Sequence, residues 1–206
     1  MHTYALDGFC YSELQRPFAE TELGKFVALL PPLQGAWIAG GAVRRMVLDE
    51  PLGDDIDVFF KSEKAFWKFQ YLLGCADHAH FIEKTERRAI FQLRDQSHTV
   101  KADLVNARYF DGPQAIFDDF DLTCCQFAID GENLYVGEYA MLHAANRICV
   151  PANASKLATW PQHLVRCLKA GFKASPEALN ILVKELERDP LALNRAPDYS
   201  GGPASG

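Results

Sequence analysis

Nothing in this chain approaches the roughly 18 consecutive apolar residues that a membrane span requires. Residues 1–15, MHTYALDGFCYSELQ, have no basic segment leading into an apolar one, so no secretory signal is read and a cytoplasmic protein is expected. The 6 cysteines, at positions 10, 75, 124, 125, 149 and 167, form no CxxC pair and no regular spacing, and read as buried or free thiols in a reducing cytosol. Positive charge is not in excess: 21 Lys and Arg against 27 Asp and Glu give a net −6, which argues against non-specific coating of nucleic acid. Internal repeats and an obvious linker are absent as well. What is present is ample apolar material, 49% over 206 residues, enough for one domain with a small helical appendage.

The most informative stretch runs from residue 36 to residue 60. Ala36-Trp37-Ile38-Ala39 is a short buried-strand pattern. Gly40-Gly41 breaks it, Ala42 to Leu48 resumes as a helix carrying Arg44 and Arg45, and Pro51-Leu52-Gly53 turns the chain into a second strand, Asp55 to Phe60. Glycines between a strand and a helix let the backbone approach a ligand, and the helix start offers unpaired N–H groups suited to phosphate. Either arginine would add a charged fork. Asp55 and Asp57 alternate around Ile56, so they share one side of the strand, roughly 6.6–7 Å apart. Two carboxylates aimed together repel, and a divalent cation between them turns that cost into a binding site; Mg²⁺ favours a few carboxylates completed by substrate phosphates and water.

Elsewhere the periodicities are ordinary. Ser12 to Leu30 reads as a covering helix stopped by Pro31-Pro32, and Ser62 to Gly74 as an amphipathic helix with Ser62 as its cap. Strands follow around Phe81–Glu83, Ala89–Leu93 and Thr99–Val105. In the last of these, alternation puts Asp103 on the side of Lys101 and Val105, either as an exposed edge carboxylate or as a third metal ligand. A helix over Asp111–Phe117, a strand over Asn133–Val136, a helix over Tyr139–Ala145 and an extended piece at Ile148–Val150 come next. Helices over Pro161–Phe172 and from Ser175 to about Arg188 complete the order. Cys75 to His80 lacks a second ligand cluster and reads as a loop. Basic residues gather at Lys84, Arg87, Arg88, Arg94, Lys101 and Arg108, and again at Lys156, Arg166, Lys169 and Lys173, as solvated faces or as a local groove for nucleic acid.

The pattern Gly40-Gly41-x-Val43-Arg44, then about a dozen residues, then Asp55-Ile56-Asp57-Val58 resembles the polymerase β nucleotidyltransferase superfamily, and within it the head domain of tRNA CCA-adding enzymes and bacterial poly(A) polymerases. The resemblance covers roughly residues 34–177. It implies an α+β fold, a small mixed or antiparallel sheet with flanking helices over residues 1–152, followed by a helical neck over 153–189. Residues 190–206, rich in Pro, Gly and Ser, have little to bury. It also implies Asp103 as the third carboxylate, Arg108 at the place of an arginine that follows it, and Asp121 in the next motif, where Thr123, Ala128 and Asp130 also agree. Phe120 and Cys125 replace an Arg and an Asn of that motif. In the neck Pro161, Arg166 and Gly171-Phe172 match, His163 replaces an Arg, and Thr159-Trp160 stands where the family has an acidic pair for reading the base.

The resemblance therefore implies a metal-dependent transferase with Asp55, Asp57 and Asp103 as catalytic metal ligands for Mg²⁺, or Mn²⁺ in its place. An NTP such as ATP would lie against Gly40, Gly41, Arg44, Arg45, Arg108 and Asp121. A nucleoside monophosphate would pass to a hydroxyl, first of all an RNA 3′ end, with displacement of pyrophosphate. The alternatives are transfer to a protein or small-molecule hydroxyl, and a non-catalytic nucleotide- or RNA-binding relative.

Overall fold

The computed structural model describes residues 1–6, 17–95, 98–153 and 160–191. Its centre is β3 (Asp55–Phe60), whose alternation sends Ile56, Val58 and Phe60 into the core and leaves Asp55, Asp57 and Phe59 on the opposite face. Antiparallel to it runs β2 (Ala36–Ala39), and parallel to it β6 (Thr99–Val105). Two more antiparallel strands, β5 (Arg88–Arg94) and β4 (Ala79–Lys84), continue the sheet on that side. On the other side lie β7 (Phe127–Ile129), β8 (Asn133–Val136) and β1 (His2–Ala5), giving eight strands in the order β1-β8-β7-β2-β3-β6-β5-β4. The fold is thus α+β with a mixed, mostly antiparallel sheet, as expected, although the sheet is larger than the sequence suggested. The strands β1 and β7 carried no readable alternation.

Two apolar layers cover the sheet. The larger holds Ile38, Ile56, Val58, Phe60, Phe91 and Leu104 beneath α2 (Gly41–Val47) and α3 (Glu63–Gly74). Ser62 caps α3 as expected, its hydroxyl accepting from the Ala65 N–H at 3.2 Å. The smaller layer packs Trp37, Ala39, Phe110 and Ala128 against Ile116 and Phe117 of α4 (Pro113–Asp119). That layer shares its face with the carboxylates and walls them on one side.

The expected covering helix is not continuous over its described part. A 3₁₀ turn at Phe18–Glu20 is followed by α1 (Glu22–Val27), because the Thr21 hydroxyl accepts from the Gly24 N–H and restarts the helix there. A Cβ on Gly24 would meet the Phe18 carbonyl oxygen at 2.0 Å, so the break depends on that glycine. Residues 12–16 of the expectation lie outside the described residues.

After the sheet, α5 (Ala140–Ala145) leads into β9 (Ile148–Cys149). The stretch expected as a neck holds α6 (Trp160–Lys169), β10 (Lys173–Ala174) and α7 (Pro176–Arg188). It does not hang free: β10 pairs in parallel with β9, and Phe172 is buried between the guanidinium groups of Arg44 and Arg147, 4.7 and 5.6 Å from its ring centre. Burying such a ring contributes about 1.5–3 kcal/mol, with the two cations adding to it.

Candidate active site

The register of β3 and β6 sets Asp57 directly beside Asp103. Adjacent strands are about 4.8 Å apart, so two carboxylates on the same face of neighbouring strands are forced into each other's field. Asp55, two residues earlier on β3, is exposed at the strand's start and adds a third negative charge. The electrostatics record the convergence. Burial, then the charges of Asp55 and Asp103, push the Asp57 carboxyl up to about 8. Burial also raises Asp103, against the pull of Arg88, which donates to its Oδ2 at 3.1 Å. The other oxygen of Asp103, Oδ1, is buried and has no hydrogen-bond partner. On a residue only 9% exposed, that leaves a buried carboxylate oxygen with accepting capacity unused by the protein.

The glycine turn stands against this acid face. Gly40 has φ 91° and ψ −137°, a conformation open to glycine and scarcely to other residues, and its N–H donates to the Phe127 carbonyl at 2.9 Å. A Cβ built there would lie 3.9 Å from Asp57 Oδ2 and 3.7 Å from the Phe120 ring, whereas one on Gly41 would meet nothing within 4 Å. Open space therefore sits over Gly41, beside Asp57. Phe120, where the resembled family has an Arg, instead joins the apolar wall, its ring 5.9 Å from Phe59.

The arginines expected to grip phosphate are placed otherwise. Arg44 is buried, 5% exposed, and points into the core: Nη1 donates to Cys125 Sγ at 3.6 Å and its plane covers Phe172. The reason is helical period, since three residues after Gly41 its side chain follows the buried stripe of Val43 and Val47 rather than the turn. Arg45 is folded onto the following loop, Nη1 3.5 Å from the Leu52 carbonyl, and a Cβ on Gly53 would collide with it at 1.6 Å. Arg108 is exposed and ion-paired with Asp119. Asp121 is buried and receives His163 Nδ1 at 2.5 Å. Asp130 has a structural role: its carboxylate takes the N–H groups of Glu132 and Asn133 and the Tyr135 hydroxyl at 2.6 Å. Against the opposing effect of burial, these bonds hold its pKa low.

Three relevant residues were not singled out by the sequence. Arg88 was one of a basic run, and His163 and Arg166 were neck positions. In the fold, α6 brings His163 and Arg166 close enough to lower the cost of charge on Asp57. For His163 itself burial works against the charged form, and the hydrogen bond and charge of Asp121 outweigh it, raising its pKa. The Thr159-Trp160 pair lies outside the described side chains. Only a pattern linking positions 42 residues apart would have revealed the His163–Asp121 contact.

Solved structures of the same class fit this geometry. The Thermotoga maritima CCA-adding enzyme complexed with tRNA superposes with a TM-score of 0.62 at 14% identity, covering 90% of this chain and 46% of that one. A CCA-adding enzyme in complex with CTP gives 0.64 at 13% identity, covering 92% and 47%. The fold is therefore that of the CCA-adding enzyme head, and this chain spans a little under half of those proteins. Residues 13–147 match the model of the Gabija anti-defense 2 family, and the chain belongs to that family. A Bacillus phage SPbetaL7 protein, "Gabija anti-defense 2", is 26% identical over 115 residues, 55% of this chain and 27% of that protein's length. Among the described residues no helix is long and apolar enough to cross a membrane.

Proposed function

We propose that this chain is a metal-dependent nucleotidyltransferase working in anti-defense, moving a nucleoside monophosphate from an NTP to a hydroxyl acceptor. The observation that carries the reading is the unpartnered Asp103 Oδ1 beside Asp57, whose carboxyl is pushed up to about 8 by burial and by its two acidic neighbours. Among the described residues, Asp103 alone of the three neighbouring acids accepts a hydrogen bond from an arginine, through Oδ2, and its Oδ1 lacks a donor. The donor set is all carboxylate, which suits Mg²⁺ or Mn²⁺. Asp55, Asp57 and Asp103 would hold the ion, which when bound makes the attacking hydroxyl more acidic and offsets charge on the departing pyrophosphate.

The chain's own groups do the rest. Gly40 and Gly41 leave the backbone bare beside Asp57, so a triphosphate can lie close to it. Arg88 fixes the Asp103 carboxylate through Oδ2 and leaves Oδ1 turned to the site. With Arg44 and Arg45 engaged elsewhere, the positive charge on the acids comes from Arg88 at Asp103 and from His163 and Arg166 at Asp57. Arg108 is exposed, and a phosphate could take it from Asp119.

The acceptor proposed first is an RNA 3′-hydroxyl, in keeping with a neighbour solved with tRNA. A second reading, transfer to a protein or small-molecule hydroxyl of the Gabija system, is favoured by the family. Incubation with Mg²⁺, each labelled NTP and total RNA from cells with and without Gabija separates them. Label on RNA supports the first reading and label on protein or a small acceptor the second. NTP binding without pyrophosphate release in any mixture overturns both and leaves a binding protein.

A further inference from the structure

The thiols without a spacing pattern gather in one place. Cys124 and Cys125 leave the 3₁₀ turn that precedes β7, Cys149 ends β9, and Cys167 comes from α6 of the neck. The Sγ atoms of Cys124, Cys125 and Cys167 all lie within 4.8 Å of one another. Cys149 reaches the same group, in thiol contact with both Cys124 and Cys167. All four are free, Cys124 and Cys149 are fully buried and Cys167 is 7% exposed. Arg44 closes the group from α2, with Nη1 at 3.6 Å from Cys125 Sγ, and its buried Nε has no hydrogen-bond partner.

We propose that Cys124, Cys125, Cys149 and Cys167 bind one zinc ion that staples the neck to the head. Four sulfurs on a single ion stand roughly 3.8 Å apart when each Zn–S bond is about 2.3 Å, so Cys124, Cys125 and Cys167 need only a small contraction, and Cys149 closes in on them as the fourth. Each thiol gives its proton to solvent on binding, and four thiolates around Zn²⁺ leave a net charge of −2. The buried Arg44 guanidinium, whose Nη1 reaches a thiol and whose Nε has no hydrogen-bond partner, gains from thiolates set directly against it. The soft sulfur set excludes the Mg²⁺ proposed for the carboxylates, so the two sites are chemically separate and share no ligand. The closed, buried position makes the ion structural. Its effect is to fix α6, and with it His163 and Arg166, against the acid face.

Metal analysis of the purified chain tests this directly. One zinc per chain is expected in the wild type and in the Cys75→Ala control, whose thiol is exposed and remote, and a loss to near zero in Cys167→Ser. Because that variant could also misfold, cobalt substitution of the wild type is the second measurement. Tetrahedral d–d bands with thiolate-to-cobalt charge transfer are expected, bleached by added zinc. A wild-type chain expressed with zinc yet holding no stoichiometric metal, or one whose intact mass shows a disulfide among these cysteines, overturns the proposal. Nucleotide transfer does not enter either measurement, so its absence leaves this test standing.

Discussion

Asp57 and Asp103 stand side by side on the parallel pair β3–β6, and Asp103 accepts through Oδ2 from Arg88 Nη1 at 3.1 Å while its Oδ1 is buried without a donor. That arrangement is costly in an empty site and useful in a loaded one.

Asp57→Asn is therefore expected to remove nucleotidyl transfer while raising metal-free stability. The Asp57 carboxyl has a folded pKa of about 8, well above its ordinary unfolded value near 3.8, so its destabilising effect is absent below the unfolded value, builds as pH rises between the two and is complete above about 8. Thermal melts in EDTA will show the variant melting higher than wild type, with the gap widest and constant above pH 8 and closing steadily as pH falls from 8 toward about 4. Added Mg²⁺ will stabilise the wild type more than the variant. A variant with full activity refutes the metal assignment.

Arg88→Met leaves the Asp103 carboxylate without its one hydrogen bond. Loss of a charged partner from a buried acid costs about 1.5–3 kcal/mol, reduced here because Arg88 is itself partly exposed and screened. Urea unfolding will report a loss nearer 1 kcal/mol, and the Asp103 pKa, followed by NMR, will move further up.

Gly40→Ala forces an L-residue into φ 91°, ψ −137°, at a cost of about 1–3 kcal/mol. The added methyl has ordinary contacts with Phe120 and Asp57, so the penalty is backbone strain and not a clash. Loss of stability is expected together with weaker NTP binding, measured by denaturant melts and by calorimetry. Gly41→Ala, with open space and no positive φ, will weaken NTP binding with little effect on stability.

His163 links the neck to Asp121, and its folded pKa is raised above the ordinary value near ~6.5. The ion pair therefore contributes fully below that pH and is lost as pH rises through the folded pKa. Wild-type stability will decline over this window, and His163→Gln will flatten the decline while lowering stability at pH 6. Equal slopes in the two proteins would refute the linkage.

Much of the site was legible in local pattern. Gly40-Gly41 between strand and helix, the Asp55–Asp57 alternation, and Asp103 on the Lys101 side of its strand all follow from period-two and turn chemistry within a few residues. The same patterns misplaced Arg44, because a phosphate turn and a buried helical stripe both accommodate an arginine four residues past the first glycine. They were silent on β1 and β7, whose strands of 4 and 3 residues are too short to show a period.

The sequence by itself determined which face the longer strands such as β3 and the amphipathic helix α3 would bury, since side-chain direction is set by backbone period. Tertiary structure alone decided which distant residues meet: Asp103 with Arg88 and Asp57, His163 with Asp121, and four cysteines from three elements with Arg44. The physical reason is that the partners of buried charges and thiols are chosen by sheet register and by the docking of α6, interactions closed over tens of residues that no local spacing records.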